Sequence, residues 1–293
     1  QIYNDLVKSN INLHKGCKLW DLDFYPDDGS EQWKFDIAAN TQWVVEDEIM
    51  KIMDMAKRIV PESKNLVFMG GVALNCVANE KIAKEWDDIW IMPNPGDAGS
   101  SLGCAARVYG KKINWTHTFL GTNIEGSYPV KRASDLLLKN ELIGIASGRA
   151  EFGPRALGNR SLIADPRGND IKDRMNVIKK RQKFRPFAPS VLEEHAHKIF
   201  DLPVNRASYM QFTAKCKFPD LYPAICHVDG TSRVQTVNRK ENRGYYDMIK
   251  RFYNKTGCPM VLNTSLNIKG QPIVNTKQDG KDFEKYYNVK VLS

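Results

Sequence analysis

Short apolar segments alternate with glycine-rich turns and helical patterns in the first third of the sequence. Residues 65–69 (NLVFM) predict a short buried strand that ends at a double glycine, and residues 88–92 (DIWIM) predict a second strand that ends at PNPGDAGS. Each turn leads into a segment with the apolar spacing of a helix. Strands that alternate with helices predict an α/β sheet whose ligands lie at the carboxyl ends of the strands.

The rest of the pattern predicts two domains, which agrees with a length of 293 residues. Residues 113–127 have no periodicity and contain turn residues, so we predict a linker there. It would join a domain over residues 1–112 to a domain over residues 128–293. Helices are predicted at 41–60, 130–140, 171–181 and 243–255, and later strands at 142–146, 209–214, 224–228, 233–237 and 260–263.

Composition excludes several classes of protein. Apolar residues make up 42% of the chain, which is enough to form buried cores. No apolar run is long enough to cross a bilayer, so we predict no membrane partner. Six scattered cysteines without a C-x-x-C pair indicate reduced thiols and a cytoplasmic location. The sequence begins with Gln1 in a polar stretch, from which we expect a fragment or a processed product.

The net charge of +9 at pH 7 predicts anionic partners, namely nucleotides, phosphates or nucleic acid. Residues 149–185 alone carry eleven Lys or Arg and four Asp or Glu. These basic residues lie among Gly, Pro, Asn and Ser, whose turns would interrupt a helix that displays a basic face. We therefore predict a concave pocket in which guanidinium groups converge on phosphate oxygens. A basic surface for nucleic acid or solubility is the alternative.

The glycine turns after the two predicted strands are candidate ligand sites. Gly70, Gly71 and Asn75 lie between a strand and a helix, where backbone amides can approach an anion. An ordinary tight turn would have the same residues. Asp97 lies between glycines in the second turn, where a carboxylate can reach a metal ion or the phosphates bound to one. A helix N-cap explains Asp97 equally well.

A basic triplet in the second half is a further candidate. Lys179 and Arg181 lie at the end of a predicted helix, and Arg185 follows in a segment that Pro186 should keep extended. The end of the helix before Pro186 would allow Arg185 to face the same site as Lys179 and Arg181. A solvated helix end is the alternative.

Two strand ends complete the candidate set. Arg233 begins the predicted strand RVQTV, from which it could point into a pocket, although a hairpin would also contain it. Ser265 and Asn267 follow the apolar strand PMVL and alternate by two, so their side chains share one face of an extended segment. Small hydroxyl and amide groups suit phosphate or carbamoyl recognition. Turn chemistry would also select them.

Six motifs occur along the chain in a specific order. They are GGVALN, PGDAGSSLGCA, GRAEFGPRALGNRSLIADPR, KKRQKFRPFAPSVL, HVDGTSRVQTV and LNTSLNIKGQPIV. On these motifs the chain, from about Phe35 onward, resembles the NodU/CmcH family of O-carbamoyltransferases.

The resemblance implies an α/β fold of two modules, the second half of an actin- and sugar-kinase-like (ASKHA) domain followed by a YrdC-like domain. In the family, the YrdC-like module forms carbamoyl-adenylate from carbamoyl phosphate and ATP. The ASKHA domain then transfers the carbamoyl group to a hydroxyl with the help of a divalent metal. The resemblance leaves the metal open among Fe, Mn, Mg and Zn. The implied function is that of an ATP-dependent O-carbamoyltransferase.

The resemblance also implies roles for individual residues. The triplet KKR at 179–181 matches the Lys-x-Arg half of the YrdC signature, and SLN at 265–267 matches its Ser-x-Asn half. The implied catalytic residues, which handle phosphate and carbamoyl groups, are Arg155, Lys179, Arg181 and Arg185. The implied binding residues are Arg233, Ser265 and Asn267 in the YrdC-like module, and Gly70, Gly71 and Asn75 at the adenosine end of the intermediate. Asp97 is the implied metal ligand.

One feature of the family is missing from this sequence. The family's first domain carries an H-x-x-x-H metal pair in its amino-terminal half, and the histidines at 14, 117, 195, 197 and 227 do not form one. We therefore expect the carboxyl-terminal part of the enzyme, with the missing half supplied by another segment or chain. The expected acceptor is an antibiotic or sugar-type metabolite. A hydroxymethylated nucleotide or nucleic acid is a weaker alternative, because basic charge discriminates poorly.

Two other functions remain open on the sequence. Threonylcarbamoyl-adenosine formation in tRNA uses the same two folds and would require threonine and bicarbonate instead of carbamoyl phosphate. A noncatalytic RNA- or nucleotide-binding module would bind RNA in a salt-sensitive way and would not turn over ATP.

Overall fold

The computed structural model describes residues 32–168, 170–182 and 185–293, and it divides the chain into two compact units, Gln1–Lys64 and Asn65–Ser293. The first unit contains helix α1 (Gln32–Ile59), which begins earlier than the helix predicted at 41–60. Val44, Ile49 and Met53 are buried on it at helical spacing. The histidine at position 14 and the cysteine at position 17 lie outside the described residues.

The second unit is a mixed α/β structure of seven helices and thirteen strands in the described residues. The helices are α2 (Cys76–Ala83), α3 (Ser100–Tyr109), α4 (Val130–Leu137), α5 (Ile171–Lys179), α6 (Glu193–Ile199), α7 (Arg243–Thr256) and α8 (Lys277–Tyr287). The first strands are β1 (Asn65–Val67), β2 (Asp88–Trp90), β3 (Phe119–Ile124), β4 (Ile143–Ala146), β5 (Gly148–Glu151), β6 (Arg160–Ala164) and β7 (Ala188–Leu192). The remaining strands are β8 (Phe200–Asp201), β9 (Thr213–Cys216), β10 (Thr231–Arg233), β11 (Gln235–Val237), β12 (Met260–Ser265) and β13 (Val291–Leu292).

Strands β1 and β2 pair in parallel, as the alternating pattern predicted, with Leu66 opposite Ile89. The prediction that residues 65–69 are buried is wrong, since Val67 is 66% exposed and Met69 is also exposed. In the described residues, β1 and β2 form a sheet of only two strands, each three residues long. So small a sheet leaves side chains such as that of Val67 exposed.

Six strands form the main sheet, in the order β11-β7-β12-β6-β4-β13. The central strands β7, β12, β6 and β4 pair antiparallel, and β11 and β13 join the two edges in parallel. Every residue of β4, β6 and β7 is buried. Their apolar side chains share one core with residues of α7 such as Ile249 and Phe252. This sheet is the rigid frame that positions the loops described below.

Two strand predictions in the second half differ from the structure. The strand predicted at 224–228 is wrong: Ala224, Ile225 and Cys226 are buried, but they lie in a turn that follows Pro223. The strand predicted at 233–237 is two short strands, β10 and β11, which belong to different sheets. Strand pairing at these places depends on partners far away in the sequence, which apolar spacing alone cannot identify.

The segment predicted as a linker contains a strand. β3 lies within residues 113–127 and pairs antiparallel with β5, with Phe119 opposite Glu151. Its glycine has a packing reason, because a Cβ on Gly121 would lie 3.0 Å from the Cβ of Ala150. The domain boundary placed at this segment stays a prediction. No helix in the described ranges has the length and apolar character needed to cross a membrane.

Candidate anion-binding site

The basic residues of segment 149–185 separate into two groups with different roles. Arg160 is 1% exposed, and its guanidinium group donates six hydrogen bonds of 2.8–3.3 Å to backbone carbonyls. Arg167 forms a bidentate pair with Asp165, with N···O distances of 2.9 and 2.6 Å. The contacts of these two arginines lie within the protein and stabilise the fold.

A partly buried carboxylate shapes the loop that follows β5. Oε1 of Glu151 accepts hydrogen bonds from the backbone amides of Leu157 (2.7 Å), Asn159 (2.9 Å) and Arg160 (3.3 Å). Burial raises the pKa of Glu151, and the amide hydrogen bonds oppose this shift. The loop between these contacts presents Arg155. The sequence analysis did not identify Glu151, because nothing local distinguishes a loop-ordering carboxylate from a solvated one.

The same loop lies against the loop that follows β2. Gly153 has a φ of +139°, and a Cβ at this position would lie 2.5 Å from the carbonyl oxygen of Pro93. A separate contact ties β2 to the segment before β9, because the side-chain amide of Gln211 donates to the carbonyl of Ile91 at 2.9 Å. The arginine-rich loop and the first pair of strands therefore adjoin each other within the second unit.

Lys179 is the most enclosed of the predicted site residues, at 6% exposed. Its ammonium group donates to the carbonyl (2.7 Å) and hydroxyl (3.2 Å) of Ser265. It also donates to the carbonyl (2.6 Å) and side-chain oxygen (2.7 Å) of Asn267. Burial, with a smaller contribution from the charge of Arg181, lowers the pKa of Lys179 to about 7. The two halves of the predicted signature therefore meet directly.

Arg181 and Arg185 follow Lys179 in the sequence, and the charge of Arg181 acts on Lys179 as that of Arg185 acts on Arg181. The Nε of Arg181 donates to the side-chain oxygen of Asn176 (2.7 Å), and its guanidinium carbon lies 4.0 Å from the ring centroid of Phe187. Burial, together with the charge of Arg185, lowers the pKa of Arg181 to about 10. Arg185 itself is exposed. The stacking and the hydrogen bond fix the direction of the Arg181 fork.

Arg233 lies within electrostatic range of both Arg155 and Arg181. Burial, together with the nearby positive charges of Arg155 and Arg181, lowers the pKa of Arg233 to about 10. Burial also lowers the pKa of Arg155. The Nε of Arg233 is buried and has no hydrogen-bond partner among the described residues. Such a donor is costly to leave unpaired, by about 1–3 kcal/mol, so it favours an incoming acceptor.

These contacts define a cationic cluster, which consists of Arg155, Lys179, Arg181, Arg185 and Arg233. Ser265 and Asn267 lie beside it. Within residues 32–168, 170–182 and 185–293, none of the five cations forms an ion pair with a carboxylate. Several buried positive charges that repel one another require a counter-charge. The arrangement is therefore suited to binding a polyanion.

The two glycine turns follow β1 and β2, as the sequence predicted, and they contact each other there. The amide of Gly70 donates to the carbonyl of Pro95 at 2.8 Å. A cavity of about 930 Å³ opens beside them, and Gly70 and Asp97 are on its wall. Gly71 and Asn75 are not among the residues that line it, and the side-chain oxygen of Asn75 caps α2 by accepting from the amide of Ala78 (3.1 Å).

A metal site at Asp97 is not complete in this structure. Asp97 is exposed and begins a single 3-10 turn, Asp97–Gly99. No group of three His, Cys, Asp or Glu side chains comes together as a metal site in the part of the chain that the structure describes. The described residues therefore offer a metal ion one carboxylate and no ligand set.

Two family models match this chain. One, described as the carbamoyltransferase C-terminus, matches residues 134–293, and the other, described as the carbamoyltransferase N-terminus, matches residues 8–106. The first covers more than half of the chain.

Curated relatives match over most of the chain. Nodulation protein NolO of Bradyrhizobium diazoefficiens is 37% identical over 277 residues, which cover 83% of this chain and 50% of the relative. Nodulation protein U of Azorhizobium caulinodans is 34% identical and covers 80% of this chain and 46% of the relative. An uncharacterised protein of Methanocaldococcus jannaschii is 31% identical, and the match covers 95% of this chain and 53% of the relative. The chain thus spans about half the length of the curated relatives it matches.

Among solved structures, HypF of T. kodakarensis aligns with a TM-score of 0.40 and 20% identity. The alignment covers 59% of this chain and 21% of that protein.

Proposed function

The chain belongs to the carbamoyltransferase family, and on that premise we propose that it forms carbamoyl-adenylate from carbamoyl phosphate and ATP for transfer to a hydroxyl group. The observation that carries this proposal is the cationic cluster, whose five positive charges have no carboxylate partner among the described residues. Carbamoyl phosphate and a nucleoside triphosphate together bring several negative charges into one site. The cluster is the counter-charge that such a pair of substrates requires.

The proposed reaction has three balanced steps. Water hydrolyses carbamoyl phosphate to carbamate and inorganic phosphate. The carbamate oxygen attacks the α-phosphorus of ATP, the bond to the β-phosphate breaks, and pyrophosphate leaves with carbamoyl-adenylate as the product. The acceptor hydroxyl then attacks the carbamoyl carbon, loses its proton, and AMP leaves.

The residues of the cationic cluster have distinct tasks in this proposal. Arg181 has a fixed fork that can bind two phosphate oxygens at once, and Arg233 has a buried N–H that requires an acceptor. Lys179 supplies a point charge next to Ser265 and Asn267, whose hydroxyl and amide suit the carbamoyl group. Arg155 and the exposed Arg185 complete the counter-charge for the leaving pyrophosphate.

We further propose that residues 128–293 form a YrdC-like module and that the first strands belong to an ASKHA-type domain. Gly70 on the wall of the large cavity would then contact the adenosine end of the intermediate, with Gly71 and Asn75 behind it. Asp97 would contribute one ligand to a divalent metal that acts as a Lewis acid. The described residues do not complete a metal site around it.

The transfer step is proposed to involve the half of the family's length that this chain does not span. The partner would be the other half of the first domain, as a further segment or a separate chain. The acceptor is proposed to be a small hydroxylated metabolite, with a hydroxymethylated nucleotide as the weaker alternative. We propose a cytoplasmic location, in keeping with the free thiols of the described cysteines.

The decisive test is the release of pyrophosphate from ATP by the purified chain, with and without carbamoyl phosphate. Release that depends on carbamoyl phosphate is the expected result. Release that instead requires threonine and bicarbonate would assign the chain to threonylcarbamoyl chemistry. If no pyrophosphate appears under either condition, and RNA is bound in a salt-sensitive way, the chain is a binding module.

Binding of ATP should depend on pH through Lys179. Its pKa of about 7 means that it is charged at low pH and loses its charge as the pH rises through 7. Affinity for ATP should therefore fall about tenfold from about pH 6 to about pH 8. The control is Lys179→Arg, which stays charged, and the ratio of the two dissociation constants cancels the titration of ATP itself. Parallel pH profiles for the two proteins would contradict the prediction.

A further inference from the structure

Cys76 lies beside the cationic cluster, although it comes from a distant part of the sequence. It is the first residue of α2 and is partly exposed. Its carbonyl accepts a hydrogen bond from the hydroxyl of Thr213 (3.4 Å), and Thr213 is opposite Arg233 in the pairing of β9 with β10. The thiol is also close enough to interact electrostatically with both Arg155 and Arg233. The wall of the cluster therefore contains a thiol.

The two arginines nearest this thiol have capacity for a further anion. The Nε of Arg233 is buried without a hydrogen-bond partner in the described part of the chain. Neither Arg155 nor Arg233 forms an ion pair with any described carboxylate. A small molecule that carries carboxylates would satisfy these donors with charge-assisted hydrogen bonds. Such a molecule would be held next to Cys76.

We propose that Cys76 is a modification site for anionic disulfides, with glutathione disulfide as the representative reagent. Arg155 and Arg233 bind carboxylates of the disulfide and place one of its sulfur atoms near the Cys76 thiol. The selectivity comes from the local concentration of the reagent, which a site of complementary charge raises by about tenfold or more.

The proposed step is an ordinary thiol–disulfide exchange. The sulfur of Cys76 attacks one sulfur of glutathione disulfide, a new S–S bond joins the protein to one glutathione, and the S–S bond of the reagent breaks. The second glutathione leaves and takes up the proton from Cys76. The disulfide is itself the oxidant, so no other reactant is needed. The adduct adds carboxylates to the cluster, and we expect it to block the binding of ATP.

The test compares two disulfides of opposite charge on the unmodified protein. Glutathione disulfide is anionic and cystamine is cationic, and both exchange by the same chemistry. Mass spectrometry of the peptides gives the rate of modification at Cys76 and at Cys104, which is exposed on α3 and serves as the internal reference. The ratio of the Cys76 rate to the Cys104 rate should be about tenfold higher with glutathione disulfide than with cystamine. Equal ratios would overturn the proposal.

Two further measurements separate this proposal from the proposed enzymatic function. Inorganic pyrophosphate should slow the reaction of Cys76 with glutathione disulfide and leave Cys104 unaffected, whereas no protection would count against a shared site. Treatment with glutathione disulfide should weaken ATP binding in the native protein and have no effect on ATP binding in Cys76→Ser. Pyrophosphate release from ATP tests the enzyme activity independently, so either idea can fail alone.

Discussion

Replacing Lys179 with alanine should lower the rate of pyrophosphate release by about a hundredfold or more. The ammonium group is the one that joins α5 to the end of β12, through four hydrogen bonds to Ser265 and Asn267. Its removal takes a buried charge from the cationic cluster and also takes one donor from each of four oxygens of Ser265 and Asn267. Of these, the Ser265 carbonyl keeps the amide of Asn267 as a donor (2.9 Å), and the Asn267 side-chain oxygen keeps the hydroxyl of Ser265 (2.6 Å). Both effects act on the place where phosphate and carbamoyl groups are expected to bind.

The measurement is the rate of pyrophosphate release with saturating carbamoyl phosphate, together with the dissociation constant for ATP. Lys180→Ala is the matched control, because Lys180 is the neighbouring residue, carries the same charge and is exposed. It should keep the activity within about threefold of the native rate. Equal losses in the two variants would mean that net charge, and not the enclosed ammonium group, is what matters.

Replacing Arg160 with alanine should lower the free energy of unfolding of the second unit by about 4 kcal/mol. The guanidinium group is almost fully buried and is bound only by backbone carbonyls, those of Thr122, Ser147, Gly148, Asn159 and Asn275. Truncation would take a donor from each of these carbonyls, of which that of Asn159 keeps the amide of Ser147, and would create a cavity between β3, β4 and β6. Urea denaturation followed by circular dichroism gives the change in free energy.

Arg174→Ala is the control for this prediction. Arg174 comes from the same basic segment, but its side chain is 39% exposed and its pair with Asp170 is a surface contact of 3.3 Å. Exposed pairs of this kind contribute about 0–1 kcal/mol. If Arg160→Ala were no more destabilising than Arg174→Ala, the hydrogen bonds of Arg160 to the backbone carbonyls would not contribute to the free energy of unfolding.

The family and the α/β class could be predicted from the sequence because both depend on patterns within short stretches of the chain. Six ordered motifs each occupy one short stretch, and the family models confirm the resemblance that they indicated. The strands β1 and β2 and the glycine turns that follow them were predicted because each strand–turn–helix unit lies within a short window of sequence. The prediction that the strand at 65–69 is buried was wrong at Val67, because an apolar side chain does not show which part of the protein covers it.

Which arginines bind backbone carbonyls within the fold and which belong to the cationic cluster was not predictable from the sequence. Arg155 and Arg160 are five positions apart in one motif, yet Arg160 is enclosed by carbonyls and Arg155 has no carboxylate partner in the described ranges. The difference arises because Arg160 lies on β6, between two other strands of the main sheet, and Arg155 lies in the loop before it. Glu151, which orders that loop, was missed for the same reason.

By itself, therefore, the sequence determined the local elements, the order of the motifs and the excess of positive charge. Only the tertiary structure decided that Lys179 meets Ser265, that Arg233 meets Arg155, and that Cys76 lies next to both arginines. Spacing along a chain fixes which side chains share a face of one strand or helix. Which strands become neighbours depends on hydrogen-bond register and burial between residues that are far apart in the sequence, and these are properties of the folded chain alone.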